Sequence, residues 1–151
     1  GGERTVGEAL APLDGCYDYA LVDTAPGWDV LTVNALFYAQ EVLAPVALEA
    51  MAVQGLTEFA HSLSAIGRYH KELRLRYVLP TFFDRRVRKS GEILGQLQAE
   101  YGGVVCAPIR YNVRLSEAPG KGQTVYEYAA GSPGAEDYLA LTGRIVQDEQ
   151  P

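Results

Sequence analysis

The stretch that most limits how this chain can fold is a short apolar run, residues 20–22, that ends at Asp23. The run is unbroken, as it is in strands that are buried on both faces of a parallel sheet. Pro26 and Gly27 follow closely, and these residues prevent simple continuation of a strand. We therefore predict a buried strand over residues 17–24, with Asp23 near its carboxyl end.

Asp23 is open to two interpretations. Ligands of open α/β sheets bind at the carboxyl ends of the strands, and in nucleotide hydrolases an acid placed there holds Mg²⁺ near the phosphates. A carboxylate at this position equally suits capping of the next helix or bonding of turn amides. The residues of this stretch alone favour neither interpretation.

Periodic apolar positions predict the rest of the fold. Strands are predicted over residues 42–48, 73–79 and 104–109, helices over residues 5–13, 30–39, 53–70, 87–101 and 134–146, and a long connection over residues 110–132. Strands that alternate with helices at this spacing imply right-handed βαβ units. The predicted fold class is therefore α/β, a mainly parallel sheet with flanking helices, in a single domain over residues 1–151.

Positive charge is concentrated in the third quarter of the chain, although the net charge of −6 gives no overall attraction to nucleic acid. Residues 81–121 carry seven basic and four acidic side chains, whereas residues 1–80 carry five and ten. Four basic side chains open one predicted helix: Arg85, Arg86, Arg88 and Lys89. Cations there oppose the helix macrodipole, so phosphate binding is one explanation and a solvated face is the other.

The sequence argues against several kinds of site. Cys16 and Cys106 are far apart, lack a C-x-x-C spacing and have no histidine nearby, which argues against a zinc site or a disulfide framework. Two such thiols fit reduced residues of a cytosolic protein. No apolar run approaches the ~18 residues of a membrane span. No G-x-x-x-x-G-K-[ST] or G-x-G-x-x-G phosphate loop is present in these residues.

Three segments carry a resemblance to a known family. Residues 22–26 read VDTAP, residues 81–84 read TFFD, and residues 112–119 read NVRLSEAP. Together they resemble the ParA/Soj/MinD group of partitioning ATPases, and the NVRLSEAP octet is most similar to ParA/Soj. The resemblance covers essentially the whole chain but only the C-terminal part of the family domain, so it implies an incomplete P-loop NTPase domain. Because the deviant Walker A loop of the family and an initiating Met are both missing, we expect a fragment or a trimmed chain.

The resemblance implies roles in nucleotide binding for particular residues. Asp23 matches the Walker B acid, the catalytic carboxylate that reaches Mg²⁺ through water. Thr24 and Pro26 match the turn that senses the γ-phosphate, in which Ala25 is a mild departure from the family. Pro108 matches the segment that borders the adenine pocket.

The resemblance also implies a DNA-binding surface. Arg86 and Arg114 match basic positions that contact DNA without sequence preference in Soj-like proteins. For these two arginines the match favours DNA contact over a solvated face. It favours DNA contact less strongly for Arg85, Arg88 and Lys89.

The function implied by the resemblance is chromosome or plasmid partitioning. The intact family domain binds ATP and Mg²⁺, forms a homodimer, and binds nonspecific DNA in the bacterial cytoplasm, at the nucleoid. A ParB-type partner stimulates ATP hydrolysis, and no membrane is involved. Because the sequence lacks the phosphate loop, we predict that this chain alone neither hydrolyses ATP nor binds nucleotide tightly.

Two alternatives remain open. The first is a naturally shortened relative without ATPase activity, a binding or regulatory module that dimerises through an exposed sheet edge. A phosphate loop encoded upstream of Gly1 would argue for a fragment, and a start codon beside Gly1 for the shortened module. The second is a MinD-like membrane-associated ATPase, which is disfavoured because residues 147–151 are polar and acidic and do not form a basic amphipathic helix.

Overall fold

The computed structural model describes residues 5–25 and 27–149. Its longer elements, in chain order, are α1 (Thr5–Leu10), α2 (Val30–Tyr38), β1 (Glu41–Ala47), α3 (Ala50–Gly67), β2 (Arg74–Thr81), α4 (Arg88–Tyr101), α5 (Val113–Glu117), α6 (Val125–Ala129) and α7 (Pro133–Asp148). Short 3₁₀ turns occupy Ala11–Leu13, Gly102–Val104 and Pro119–Lys121. None of the helices in the described part of the chain is long and apolar enough to cross a bilayer.

β1 and β2 pair in parallel, and they form the sheet of the described residues. The Arg74 amide donates to the Gln40 carbonyl at the start of the pair, and the Leu48 amide donates to the Thr81 carbonyl at its end. Residues 77–80 of β2 are buried, as expected for a strand that is covered on both faces. The prediction of an α/β fold with a parallel sheet and flanking helices is confirmed.

The predicted strand over residues 17–24 is wrong, because these residues form no regular secondary structure. They are exposed, and the Leu21 side chain reaches 96% exposure. A β-strand needs a neighbouring strand to satisfy its backbone groups, and no strand of the described residues pairs with this stretch. The apolar run therefore specifies a segment that is suited to a sheet, but does not by itself form one.

The predicted fourth strand, residues 104–109, is reduced to two isolated parallel bridges. Val105 pairs with Val78, and Arg110 pairs with Phe83. Pro108 lies between the two bridges and has no N–H to donate, which explains why the ladder is not continuous. The predicted long connection over residues 110–132 contains the two short helices α5 and α6.

The described residues divide between two compact units, each with its own core. The first unit is drawn from Gly1–Val42 and Phe59–Arg76, and the second from Leu43–Glu58 and Tyr77–Pro151. The core of the first unit is formed by Leu36, Leu63 and Leu73. The core of the second is formed by Tyr77, Leu79, Cys106 and Ile109. The single domain over residues 1–151 stays a prediction.

Local signals explain where the helices of the second unit begin. Thr124 and Glu127 form a reciprocal capping box at the start of α6, and the Ser132 hydroxyl accepts from the Ala135 amide at the start of α7. Gly134 permits the first turn of α7 to approach α5 closely, because a Cβ there would lie 2.7 Å from Leu115 Cγ. The close approach places α5 against the start of α7, and Leu115 of α5 packs against the core of the second unit.

Candidate functional site

An open cleft of about 360 Å³ lies in the second unit, where the chain leaves the carboxyl ends of β1 and β2. Open α/β sheets bind ligands at this edge, because the turns that follow parallel strands converge there. The cleft is lined by residues that follow β1, β2 and the Arg110 bridge: Leu48, Glu49, Phe82, Asp84, Arg86, Val87, Lys89, Ser90 and Tyr111. Two of the sequence-predicted residues, Arg86 and Lys89, are therefore brought to one cleft.

Two aromatic side chains line this cleft. The rings of Phe82 and Tyr111 lie 6.4 Å apart between centroids and are tilted, and both side chains are more than half exposed. Phe82 also has a φ of 57°, in the left-handed region that a bulky side chain rarely adopts. Backbone strain of this kind clusters at functional sites, and here it directs an aromatic ring toward solvent beside the cleft.

Asp84 and Arg86 form a compact turn at the cleft. The Arg86 amide and Nε donate to Asp84 Oδ1 at 2.9 and 3.0 Å, and Arg86 Nη2 donates to Oδ2 at 2.8 Å. The hydrogen bonds from the Arg86 side chain and amide lower the pKa of Asp84 to about 2. The same pairing raises the pKa of Arg86, so both groups remain charged at neutral pH.

The start of α4 presents further cations that differ in their partners. Arg88 Nε donates to Glu92 Oε1 at 2.7 Å, an i,i+4 pair along the helix surface. Arg85 and Lys89 are exposed, and in residues 5–25 and 27–149 their side chains form no ion pair. The helix also begins without a side-chain cap, because its cap residue is Val87. This turn therefore offers amides and two unpaired cations to an anion.

Arg114 lies on α5 and contacts two side chains. Its Nη1 donates to Glu117 Oε2 at 2.8 Å, and the Tyr128 hydroxyl donates to the same oxygen at 3.1 Å. The Arg114 guanidinium also lies 6.0 Å from the centroid of the Tyr128 ring. The hydrogen bonds from Arg114 and Tyr128 lower the pKa of Glu117.

The segment that leads into α5 is fixed by Arg110. Its Nε and Nη2 donate to the Asp137 carboxylate, and its Nη2 also donates to Glu136 and to the Pro133 carbonyl. The Arg110 amide donates to Asp137 as well, at 2.8 Å. Since Glu136 and Asp137 belong to α7, this clamp ties the chain just before α5 to the first turns of that helix.

The residues of the first unit that were predicted to bind nucleotide include Asp23, which the structure does not place as a helix cap. Asp23 and Thr24 are exposed and lie outside regular secondary structure, and Pro26 lies outside the described residues. The cap of α2 is Asp29, whose Oδ1 accepts from the Thr32 amide at 2.7 Å. That hydrogen bond lowers the pKa of Asp29. Asp23 is therefore not the cap of the next helix, and its carboxylate faces solvent.

The described residues supply few of the ligands that a magnesium ion needs. No group of three or more His, Cys, Asp or Glu side chains in residues 5–25 and 27–149 is arranged to hold a metal. Mg²⁺ usually keeps several waters and takes one or two carboxylates together with substrate phosphates. The exposed carboxylate of Asp23 fits one such position. Pro108 is half-buried and does not line the cleft of the second unit.

Several residues of the site were missed by sequence reasoning. Phe82 lies in the TFFD segment, but no local pattern indicates that it meets Tyr111, because their proximity depends on the parallel bridge between Phe83 and Arg110. The turn at Asp84 could be predicted from the sequence, because an Asp side chain often hydrogen-bonds the backbone two residues further on. The aromatic lining of the cleft therefore depends on tertiary structure, whereas the Asp84 turn depends on local sequence.

Comparisons with known proteins agree on one group. Residues 2–75 match a family model described as an AAA domain. The chain is 35% identical over 148 residues to the chromosome-partitioning ATPase Soj of Thermus thermophilus, covering 97% of this chain and 59% of that protein. It is 33% identical over 146 residues to the chromosome partitioning protein ParA of Myxococcus xanthus, covering 95% of this chain and 52% of that protein. The chain thus spans about half the length of the curated relatives it matches.

A solved structure with the same fold contains bound ligands. Cobyrinic acid a,c-diamide synthase from Mycobacterium smegmatis, crystallised with a bound ATP analogue and magnesium, superposes with a TM-score of 0.79 and 28% identity. The superposition covers 97% of this chain and 55% of that chain. The family predicted from the VDTAP, TFFD and NVRLSEAP segments is confirmed.

Proposed function

Because this chain belongs to the ParA/Soj branch of the ParA/MinD family, we propose that it is the C-terminal portion of a partitioning ATPase that binds DNA without sequence preference. The observation that carries the proposal is the basic surface of the second unit. Arg85 and Lys89 are exposed without an ion pair in the described chain, and Arg86 and Arg114 are exposed with one. We assign these four side chains to DNA phosphates.

The chemistry of the surface supports backbone contact over base reading. Lysine and arginine side chains that neutralise phosphates supply affinity that is independent of sequence and falls with salt. α5 is only five residues long, and α4 presents its cations at its first turn and not along one face. Neither arrangement resembles a recognition helix laid in a major groove. Arg88 is left out of the assignment, because it is paired with Glu92 and, unlike Arg86 and Arg114, is not one of the two arginines for which the resemblance most favours DNA contact.

Fluorescence anisotropy with a labelled duplex of arbitrary sequence tests the DNA assignment. Arg114→Ala and Lys89→Ala should each weaken binding and reduce the slope of log affinity against log salt by up to about 0.9, the value expected for one complete phosphate contact. Arg68→Ala and Lys71→Ala are matched controls, since both positions are exposed and lie outside the basic surface. Equal losses in the test and control pairs would refute the assignment.

For nucleotide binding, we propose that Asp23 supplies the carboxylate that faces Mg²⁺ in the intact family domain. Its exposed carboxylate and the family match support this role. Bound Mg²⁺ would neutralise charge on the transferred phosphate. Thr24 and Pro26 would form the neighbouring turn, and Pro108 would border the adenine. A ParB-type partner and a nucleotide-dependent homodimer complete the proposal on the strength of the family alone.

ATP turnover by the purified 151-residue chain tests the nucleotide half of the proposal. We expect none, because these residues contain no phosphate loop to hold the β- and γ-phosphates. Turnover that Asp23→Ala abolishes would show that a phosphate site exists elsewhere in the chain. Calorimetry with Mg²⁺ and ATP would detect the same site as tight binding.

The exposure of the segment over residues 17–22 favours a second candidate function, a self-associating binding module. Tyr17 is 72% and Leu21 96% exposed, and an unpaired apolar segment of this kind readily adds to another chain. Sedimentation velocity should then detect a dimer that Leu21→Ser weakens. Leu139→Ser, at another exposed leucine, should leave the dimer intact. A monomer at all concentrations would exclude this candidate.

A further inference from the structure

The Glu117 carboxylate holds Arg114 through a single shared oxygen. Glu117 Oε2 accepts from Arg114 Nη1 at 2.8 Å and from the Tyr128 hydroxyl at 3.1 Å. The side chain of Arg114 is 52% exposed and that of Glu117 is 39% exposed, so water and solutes reach both partners. A carboxylate therefore already occupies one of the guanidinium donors that a phosphate would use.

Arg86, the other paired arginine of the basic surface, has a carboxylate partner that also accepts a backbone hydrogen bond. Asp84 accepts from the Arg86 amide as well as from its side chain, so this carboxylate is part of the backbone turn. In the described residues, the hydrogen bonds to the Glu117 carboxylate come from side chains. Glu117 can therefore leave Arg114 without opening a turn, whereas Asp84 cannot leave Arg86 in this way.

We propose that Glu117 is a built-in competitor of DNA phosphate for Arg114 and that Tyr128 holds it in the competing position. The inference rests on the proposed function, because it concerns how tightly the same surface binds a phosphate backbone. An arriving phosphate either displaces Glu117 from Nη1 or binds beside it against its negative charge. Both routes lower the affinity for DNA.

A second cation lies within electrostatic reach of Glu117. The charge of Lys121 contributes to the lowered pKa of Glu117, although less than Arg114 and Tyr128 do. Because its pKa is already lowered, Glu117 competes as an anion throughout the neutral pH range.

Three variants of the full 151-residue chain separate the competing role from simple charge. Glu117→Gln removes the carboxylate from Arg114 and should tighten DNA binding about two- to fivefold, the upper part of the range measured for exposed ion pairs. Glu149→Gln makes the same change in net charge at an exposed position outside the basic surface, and should change affinity by less than about 1.5-fold. Tyr128→Phe changes no charge and keeps the ring, and it should tighten binding up to about twofold by loosening Glu117.

The sign of these changes decides the inference. If Glu117 instead orients Arg114 for DNA, Glu117→Gln and Tyr128→Phe will both weaken binding, and the inference is overturned. It is equally overturned if Glu117→Gln matches Glu149→Gln. The salt slope provides an independent reading, since Glu117→Gln should steepen it by up to about 0.9 as Arg114 becomes fully available to phosphate.

Titration with inorganic polyphosphate separates this inference from the proposed function. If polyphosphate binding tightens with Glu117→Gln and Tyr128→Phe while no variant binds DNA, Glu117 competes with phosphate for Arg114, and DNA as the source of that phosphate is refuted. If DNA binds but none of the three variants changes its affinity, DNA binding holds and the competitor role is refuted. If neither polyanion binds any variant, both are refuted.

Discussion

Replacing Gly134 by alanine should destabilise the protein, although alanine is normally the better helix former. A Cβ at this position would lie 2.7, 2.8 and 3.0 Å from Leu115 Cγ, Cδ1 and Cδ2. Contacts this short require Leu115 to move by several tenths of an ångström. Leu115 is half-buried and packs against the core of the second unit, so it has little room to move.

The expected change in the free energy of unfolding for Gly134→Ala is the difference between two opposing effects. Overpacking a filled site typically costs about 1–3 kcal/mol. Alanine recovers roughly 0.5–1 kcal/mol of helix propensity relative to glycine. Gly134→Ala should therefore lower the free energy of unfolding by up to about 2.5 kcal/mol. Gly95→Ala, on the exposed side of α4 with no atom within 4 Å of its Cβ, should raise it by about 0.5–1 kcal/mol.

Urea denaturation followed by circular dichroism measures both variants. With a slope of about 2 kcal/mol/M, Gly134→Ala should lower the midpoint by up to about 1.2 M, and Gly95→Ala should raise it by about 0.25–0.5 M. Adding Leu115→Ala should remove most of the penalty of Gly134→Ala, since the clashing atoms are then absent. Stabilisation by both alanines, or a penalty that persists without Leu115, would refute the close approach of α7 to α5.

Two further predictions concern ionisable groups. Asp84 should titrate near pH 2 by NMR, and Arg86→Gln should return its pKa toward 3.8. Because the pKa of Asp84 is lower in the folded chain, the stabilisation from its ion pair is complete above about pH 4 and is lost as the pH falls toward 2. An Asp84 pKa that Arg86→Gln leaves unchanged would contradict the pairing. Cys106 is buried and burial raises the pKa of its thiol, whereas Cys16 is exposed. A thiol reagent should therefore label one site per native chain and no site in the Cys16→Ser variant. Rapid labelling of native Cys16→Ser would contradict the burial of Cys106.

Much of the secondary structure was predictable because it depends on local sequence. The helices α2, α4 and α7 were predicted within one or two residues of their observed ends, since apolar spacing and end signals specify them directly. β1 and β2 were also predicted from short apolar runs. These runs have each other as partners within the described chain, so their local tendency becomes an observed strand.

The strand predicted over residues 17–24 does not form, and the strand predicted over residues 104–109 is reduced to isolated bridges. In both segments the cause is the lack of continuous pairing with a neighbouring strand. A sequence pattern indicates that a segment suits a sheet, but the strand forms only where another strand supplies hydrogen bonds along its length. Residues 17–24 pair with no strand of the described chain, and Pro108 interrupts the ladder of the second segment. Side-chain pairs follow the same rule. The clamp between Arg110 and Asp137 joins residues 27 positions apart and has no local signature.

The basic surface shows which electrostatic property a sequence determines and which it does not. Residues 81–121 carry a local excess of cations, and such an excess sets the field that a polyanion meets from a distance. Ion pairing leaves that field largely unchanged, because each pair carries the same net charge whether it is closed or open. At contact distance pairing decides which cations are available: Lys89 has no ion pair in the described chain, whereas Arg114 must first be shared with Glu117. Salt dependence is therefore predictable from composition, while the ranking of individual contacts requires the structure.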